Sequence, residues 1–145
     1  MATIKLVSVL SILGVFVSSL LGCSQAATPS QQQIEDINWK LESYGQQANP
    51  QRILEGSEVA ANFRSSDHQV VGFGGCNGYG GGYELNGARL TVSALISTKI
   101  YCTEPEGVTE QETQYLDLLQ NAESFQVQGG KLYINSGNQV LVFIR

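Results

Sequence analysis

The 145-residue sequence predicts an α+β fold: mainly antiparallel β-sheet, curled into a small or incomplete barrel, with one helix packed across it. Three observations lead there. Short segments that alternate apolar and polar residues succeed one another from Trp39 onward, punctuated by turns rich in Gly, Asn and Ser. One stretch around Tyr115 changes to helical spacing. The run Val140 to Ile144 is apolar at every position, which suits a central strand or part of a closed barrel.

Residues 1–22 have the pattern of a targeting segment. Lys5 supplies a positive start, and Leu6 to Leu21 is an apolar run interrupted only by Ser and Gly. Its end, Leu20-Leu21-Gly22-Cys23, resembles the lipobox of bacterial lipoproteins. That resemblance implies cleavage before Cys23 and lipidation of its sulfur. Plain secretion with cleavage near Ala26-Ala27 is the rival reading, and an uncleaved span is the third, although the run is short for one. Residues 23–36 then read as the lipidated Cys and a flexible tether, polar and nearly free of charge up to Gln33. Without the segment that carries Lys5, seven basic and thirteen acidic side chains remain, a net charge of −6. That balance offers no counterion-release drive towards nucleic acid and disfavours lying flat on an anionic bilayer.

Residues 37–145 suit one domain with one core. Trp39, Leu41 and Ser43 share one strand face, and Val59, Ala61 and Phe63 share another; Gly45 to Gly56 reads as the loop between them. Ser65 to His68 is a turn into a strand over Gln69 to Phe73. Tyr83 and Leu85 belong to the next strand, Asn86-Gly87 turns the chain, and Leu90, Val92 and Ala94 line the strand after it. Thr98 to Tyr101 is a short extended piece leading to Cys102. Thr109 and Glu112 form a capping-box pattern, and Tyr115, Leu118, Leu119 and Ala122 give an apolar stripe, so a helix is expected over about 110–121. Phe125/Val127, Leu132/Ile134 and Val140 to Ile144 are the last three strands, joined at Gly129-Gly130 and Ser136 to Asn138.

The segment from Gly72 to Tyr83 is the unusual one, with seven glycines in twelve residues. Large apolar groups interrupt the glycines, unlike a linker, so it reads as strand, corner and strand. Gly74, Gly75, Asn77, Gly78 and Gly81 are the corner, with Asn77-Gly78 as the turn and glycine marking a bulge or close crossing. Neither the dinucleotide fingerprint nor a P-loop fits, since Tyr83 stands where the last small residue belongs and no Gly-Lys-Ser/Thr follows.

The blocks Gly75-Cys76-Asn77-Gly78-Tyr79, Gly87-x-x-Leu90-x-Val92, Thr98-x-x-x-Cys102, Glu112-x-x-Tyr115-Leu116-x-x-Leu119, Gly130-x-Leu132-x-Ile134 and Leu141-x-Phe143 together resemble the META domain, the family of HslJ-like heat-shock lipoproteins. An opening Trp39-x-Leu41-x-x-Tyr44 also fits. The resemblance implies a compact β-rich domain of a bacterial envelope protein and brings no catalytic assignment.

Cys76 and Cys102 remain once Cys23 is lipidated. In an oxidising compartment an even pair forms a disulfide; two buried free thiols are the alternative. These cysteines and the lone His68 are too few, at unfamiliar spacing, for a metal site. A Cys76 nucleophile with His68 as base is the enzyme reading, set against a solvated loop histidine. Tyr79, Tyr83 and Tyr101 lie near the corner, as core-edge packing or as a binding surface. The expected function is non-catalytic and cofactor-free: a lipid-anchored, periplasm-facing envelope protein for stress tolerance or maintenance, which binds an envelope protein or small ligand. A binding or pilot module for a secreted protein is the alternative, with the thiol enzyme behind it.

Overall fold

The computed structural model describes residues 33–145. Cys23 and the targeting segment lie outside the described residues. Nine strands and one helix follow in order: β1 (Asn38–Gln46), β2 (Gln51–Arg52), β3 (Ala60–Arg64), β4 (Gln69–Phe73), β5 (Gly78–Asn86), β6 (Arg89–Ser97), α1 (Val108–Gln120), β7 (Ser124–Gln128), β8 (Lys131–Ser136) and β9 (Gln139–Ile144).

The sheet is antiparallel throughout and returns to its start, because β9 pairs with β1 from Lys40↔Ile144 to Gln46↔Gln139. This explains the apolar run in β9, which has a strand on each edge, β8 and β1. The other edge of β1 is shared between β3 and the two-residue β2, so the expected Gly45 to Gly56 loop starts after Gln46 and is interrupted by β2. The ring is uneven. Between β6 and β7 a single pair, Arg89↔Ser124, stands where other neighbours make two or more. Gln120 of α1 covers the open part of that seam: its amide donates to the Val92 carbonyl at 2.9 Å and accepts from the Leu95 N–H at 3.0 Å. A side-chain amide thus supplies the donor and acceptor that a strand would have provided.

Inward-facing residues of all the longer strands meet in one core, including Trp39, Phe63, Leu90, Phe125, Ile134 and Phe143. The helix lays Tyr115, Leu118 and Leu119 into it. Trp39 is completely buried, and its ring N–H donates to the Ile34 carbonyl at 2.9 Å. Ile34 is itself fully buried, Glu35 pairs with Phe63, and the Asp36 carboxylate accepts from Ser65. The domain therefore begins before residue 37, and Ile34 to Asp36 belong to it rather than to a tether. A single aliphatic residue after a polar run carries no periodicity, so only the tertiary contact reveals it.

Ala94 also departs from expectation. It is exposed with φ at 50°, and β6 changes register against β5 between Gly80 and Gly82. This bulge rotates the strand, so Leu95 packs against the core in its place.

Candidate functional site

The corner is a hairpin loop, Gly74 to Asn77, closed where Phe73 faces Gly78 and where the Gly74 N–H donates to the Asn77 carbonyl at 2.8 Å. Its left-handed residue is Gly75, with φ at 113°; Asn77 and Gly78 are not left-handed, so the expected Asn77-Gly78 turn is corrected to a Gly75-centred one. A side chain on Gly75 would also crowd Val108 and Ser57 at 3.2 Å. Gly74 has no room for one, because a Cβ there would lie 2.7 Å from the Glu112 carboxylate.

Glu112 organises this loop. One carboxylate oxygen accepts from the Asn77 N–H at 2.6 Å and the Cys76 N–H at 3.0 Å, and the other accepts from the Asn77 side-chain amide at 2.7 Å. The carboxylate serves the corner instead of its own helix. That corrects the expected capping box: the helix starts after Gly107, a left-handed residue with φ at 85°, and no side chain caps it. Thr109 instead donates to the Cys102 carbonyl at 3.2 Å. The helical stripe contained the signal, since Glu112 stands three residues before Tyr115 and shares its buried face.

Asn77 carries the bonds onward. Its amide also donates to the Ile100 carbonyl, while its oxygen accepts from the Thr98 hydroxyl and the Ile100 N–H, both at 2.7 Å. All four bonding positions of the buried amide are filled. Cys76 and Cys102 form a disulfide spanning 26 positions, so the extended Thr98 to Tyr101 piece is held at both ends. Gln111 fastens a third loop through the Ser57 hydroxyl and the Leu54 N–H.

The three tyrosines do not form one surface. Tyr79 and Tyr83 are 6% and 3% exposed, whereas Tyr101 is 80% exposed. The Tyr79 hydroxyl bonds to Tyr115 at 2.6 Å and to the Ala60 carbonyl at 3.0 Å, and burial pushes both tyrosines well above the usual range. Gly72 makes room for this pair, since a Cβ there would sit 1.9 Å from the Ala60 oxygen. Tyr83 bonds to Glu35; burial first, and then that carboxylate, push its hydroxyl upward. Tyr101 lies on the loop between β6 and α1, whereas Tyr79 and Tyr83, four apart on β5, both face inward, and Gly81 between them approaches Ser93 and Leu95 too closely for any side chain. Gly78 is in β5 with nothing nearer than 3.9 Å to its Cβ position, so the fold does not require glycine there.

Cys76 and His68 are not a nucleophile and base. The sulfur is in a disulfide, and His68 is an exposed turn residue before β4, at the end opposite the Cys76 loop. Among the described residues no group of three or more His, Cys, Asp or Glu is placed to hold a metal.

A barrel closed between its first and last strands, a helix across it and a Gly-Cys-Asn-Gly corner bonded to that helix define the class of domain. The chain belongs to the META domain family, whose model matches residues 32–145. It is similar to a protein from Burkholderia xenovorans solved by NMR, at 22% identity and a TM-score of 0.66, covering 84% of this chain and 94% of that one. It is also similar to a DUF4847 family protein from Bacteroides vulgatus, a crystal structure at 14% identity and a TM-score of 0.56, covering 77% and 93%. At these identities the likeness is one of fold. The comparison with curated proteins gives no match.

Proposed function

We propose that this chain is a non-catalytic envelope lipoprotein, anchored through Cys23 and facing the periplasm, that serves stress tolerance or envelope maintenance by binding. One observation carries the reading. The buried polar groups at the corner are engaged in holding it together, Glu112 and Asn77 with each other and with the loops, and the large apolar side chains of Ile100 and Tyr101 stand exposed beside them. An active site needs polar groups left free to meet a reacting atom. A surface of rigid loops braced by a disulfide suits recognition.

The anchor is tested by Cys23→Ser. The variant is expected to leave the membrane fraction or to accumulate as unprocessed precursor. Normal processing and membrane retention of that variant would rule the anchor out.

A further inference from the structure

We infer that the corner end of the barrel docks an extended polypeptide segment presenting an apolar side chain beside a lysine or arginine. This rests on the reading that the chain acts by binding, and it names the partner's chemistry.

The exposed large hydrophobics of the described residues gather at this end: Phe73 at 42%, Ile96 at 75%, Ile100 at 64% and Tyr101 at 80%. Scattered apolar residues on a surface are ordinary; a cluster on the ends of β4 and β6 and on the loop that the disulfide and a filled bond network hold marks an interaction site. Beneath them, Gly78 and Gly80 floor a groove on β5 between Val71 and Ile96. Neither glycine has positive φ, and a Cβ would meet nothing closer than 3.9 Å at Gly78 or 3.6 Å at Gly80. Glycine weakens a strand, and here neither backbone conformation nor packing demands it. Its effect is a bare backbone floor against which another chain can lie closely.

Charge selects the occupant. The groove shares Ser97 and Thr98 with a crevice running past the exposed Lys99 to Tyr101, and Tyr101 shares the next crevice with Glu106 and Glu110, two acids against that one lysine. The ion pairs of the described residues, Arg64–Asp67 and Lys131–Glu42, do not involve these carboxylates. A cationic side chain beside Tyr101 would meet an aromatic face and two acids. An anionic bilayer would meet the same acids and be repelled. The tether's exit agrees. The chain enters the domain at Ile34 to Asp36 beside Phe63 and Ser65, towards the Gln69 end of β4, whereas the groove lies at its Phe73 end. A domain hung from the first end presents the second away from the lipid.

The test is fluorescence anisotropy of the chain as purified from its cells with short labelled peptides. One alternates Ile and Lys; one has Glu for Lys; one has Ser for Ile. The Ile/Lys peptide should bind, with the other two at least about tenfold weaker. Ile96→Ser with Ile100→Ser should weaken binding about tenfold, and Glu106→Gln with Glu110→Gln about threefold with a smaller salt dependence. Gly80→Ala should keep or raise the melting temperature yet weaken binding about fivefold, which separates floor from fold. Equal binding of the Lys and Glu peptides, no peptide binding at all, or indifference to both Gly80→Ala and Ile96→Ser would overturn the proposal. So would capture through these residues by phosphatidylethanolamine–phosphatidylglycerol vesicles without peptide binding, which would make the face a lipid contact. Peptide binding by a Cys23→Ser chain that normally reaches the membrane fraction would leave this inference standing and remove only the anchor.

Discussion

Glu112 is the residue on which most of the corner depends. It is buried, and its carboxylate fills two backbone donors of the loop and one side-chain donor of Asn77. Glu112→Ala strands all three, and a buried donor left unmade costs about 1–3 kcal/mol, so a loss of about 3 kcal/mol or more is expected in urea unfolding. Glu112→Gln keeps one acceptor but turns an NH2 group towards N–H donors, and should lose about half as much. Equal and small losses in the two variants would mean that water replaces the carboxylate and that the network does not hold the corner.

At the scale of elements, the Tyr79–Tyr115 pair joins α1 to β5. Burial raises both hydroxyls above the ordinary tyrosine value of 10.0. The folded chain therefore keeps protons that the unfolded chain sheds above that pH. Their contribution is complete below pH 10 and is lost as pH rises past it, at about 1.4 kcal/mol per pH unit for each proton. Tyr115→Phe should cost about 1 kcal/mol at neutral pH through the lost bond, and should make the alkaline fall in stability shallower by one proton. Urea unfolding between neutral pH and pH 11 measures both; an unchanged alkaline slope would refute the assignment.

For the whole molecule, the ring is closed firmly between β1 and β9 and weakly between β6 and β7. Gln120 stands in for the missing strand at Val92 and Leu95. Gln120→Ala should speed amide exchange at Leu95 about tenfold or more while leaving β1 and β9 amides unchanged, because the opening is local. Uniform acceleration across the barrel would show instead that the seam is no weaker than the rest. The disulfide braces a different part, tying the segment before the helix to the corner.

The strands other than the two-residue β2, the helix and the glycine corner were legible in the sequence, because periods of 2 and 3.6 and turn residues report local backbone preference and the buried face of each element. Trp39, Phe63, Leu90 and Ile134 face inward as their spacing requires. The site was legible only as a region. Composition marked Gly74 to Tyr83 as unusual, but spacing alone did not show that Tyr79 and Tyr83 face inward while Tyr101 faces out, since the first depends on which strand face the barrel encloses and the second on the loop between β6 and α1. Glu112 satisfied a local capping pattern and the buried helical stripe at once. The fold chose the stripe, because the corner's N–H groups lie opposite it and water does not reach them. Ile34, Leu95 and Gln120 were decided by tertiary structure alone: a chain end, a bulge and a seam exist only once distant strands have met.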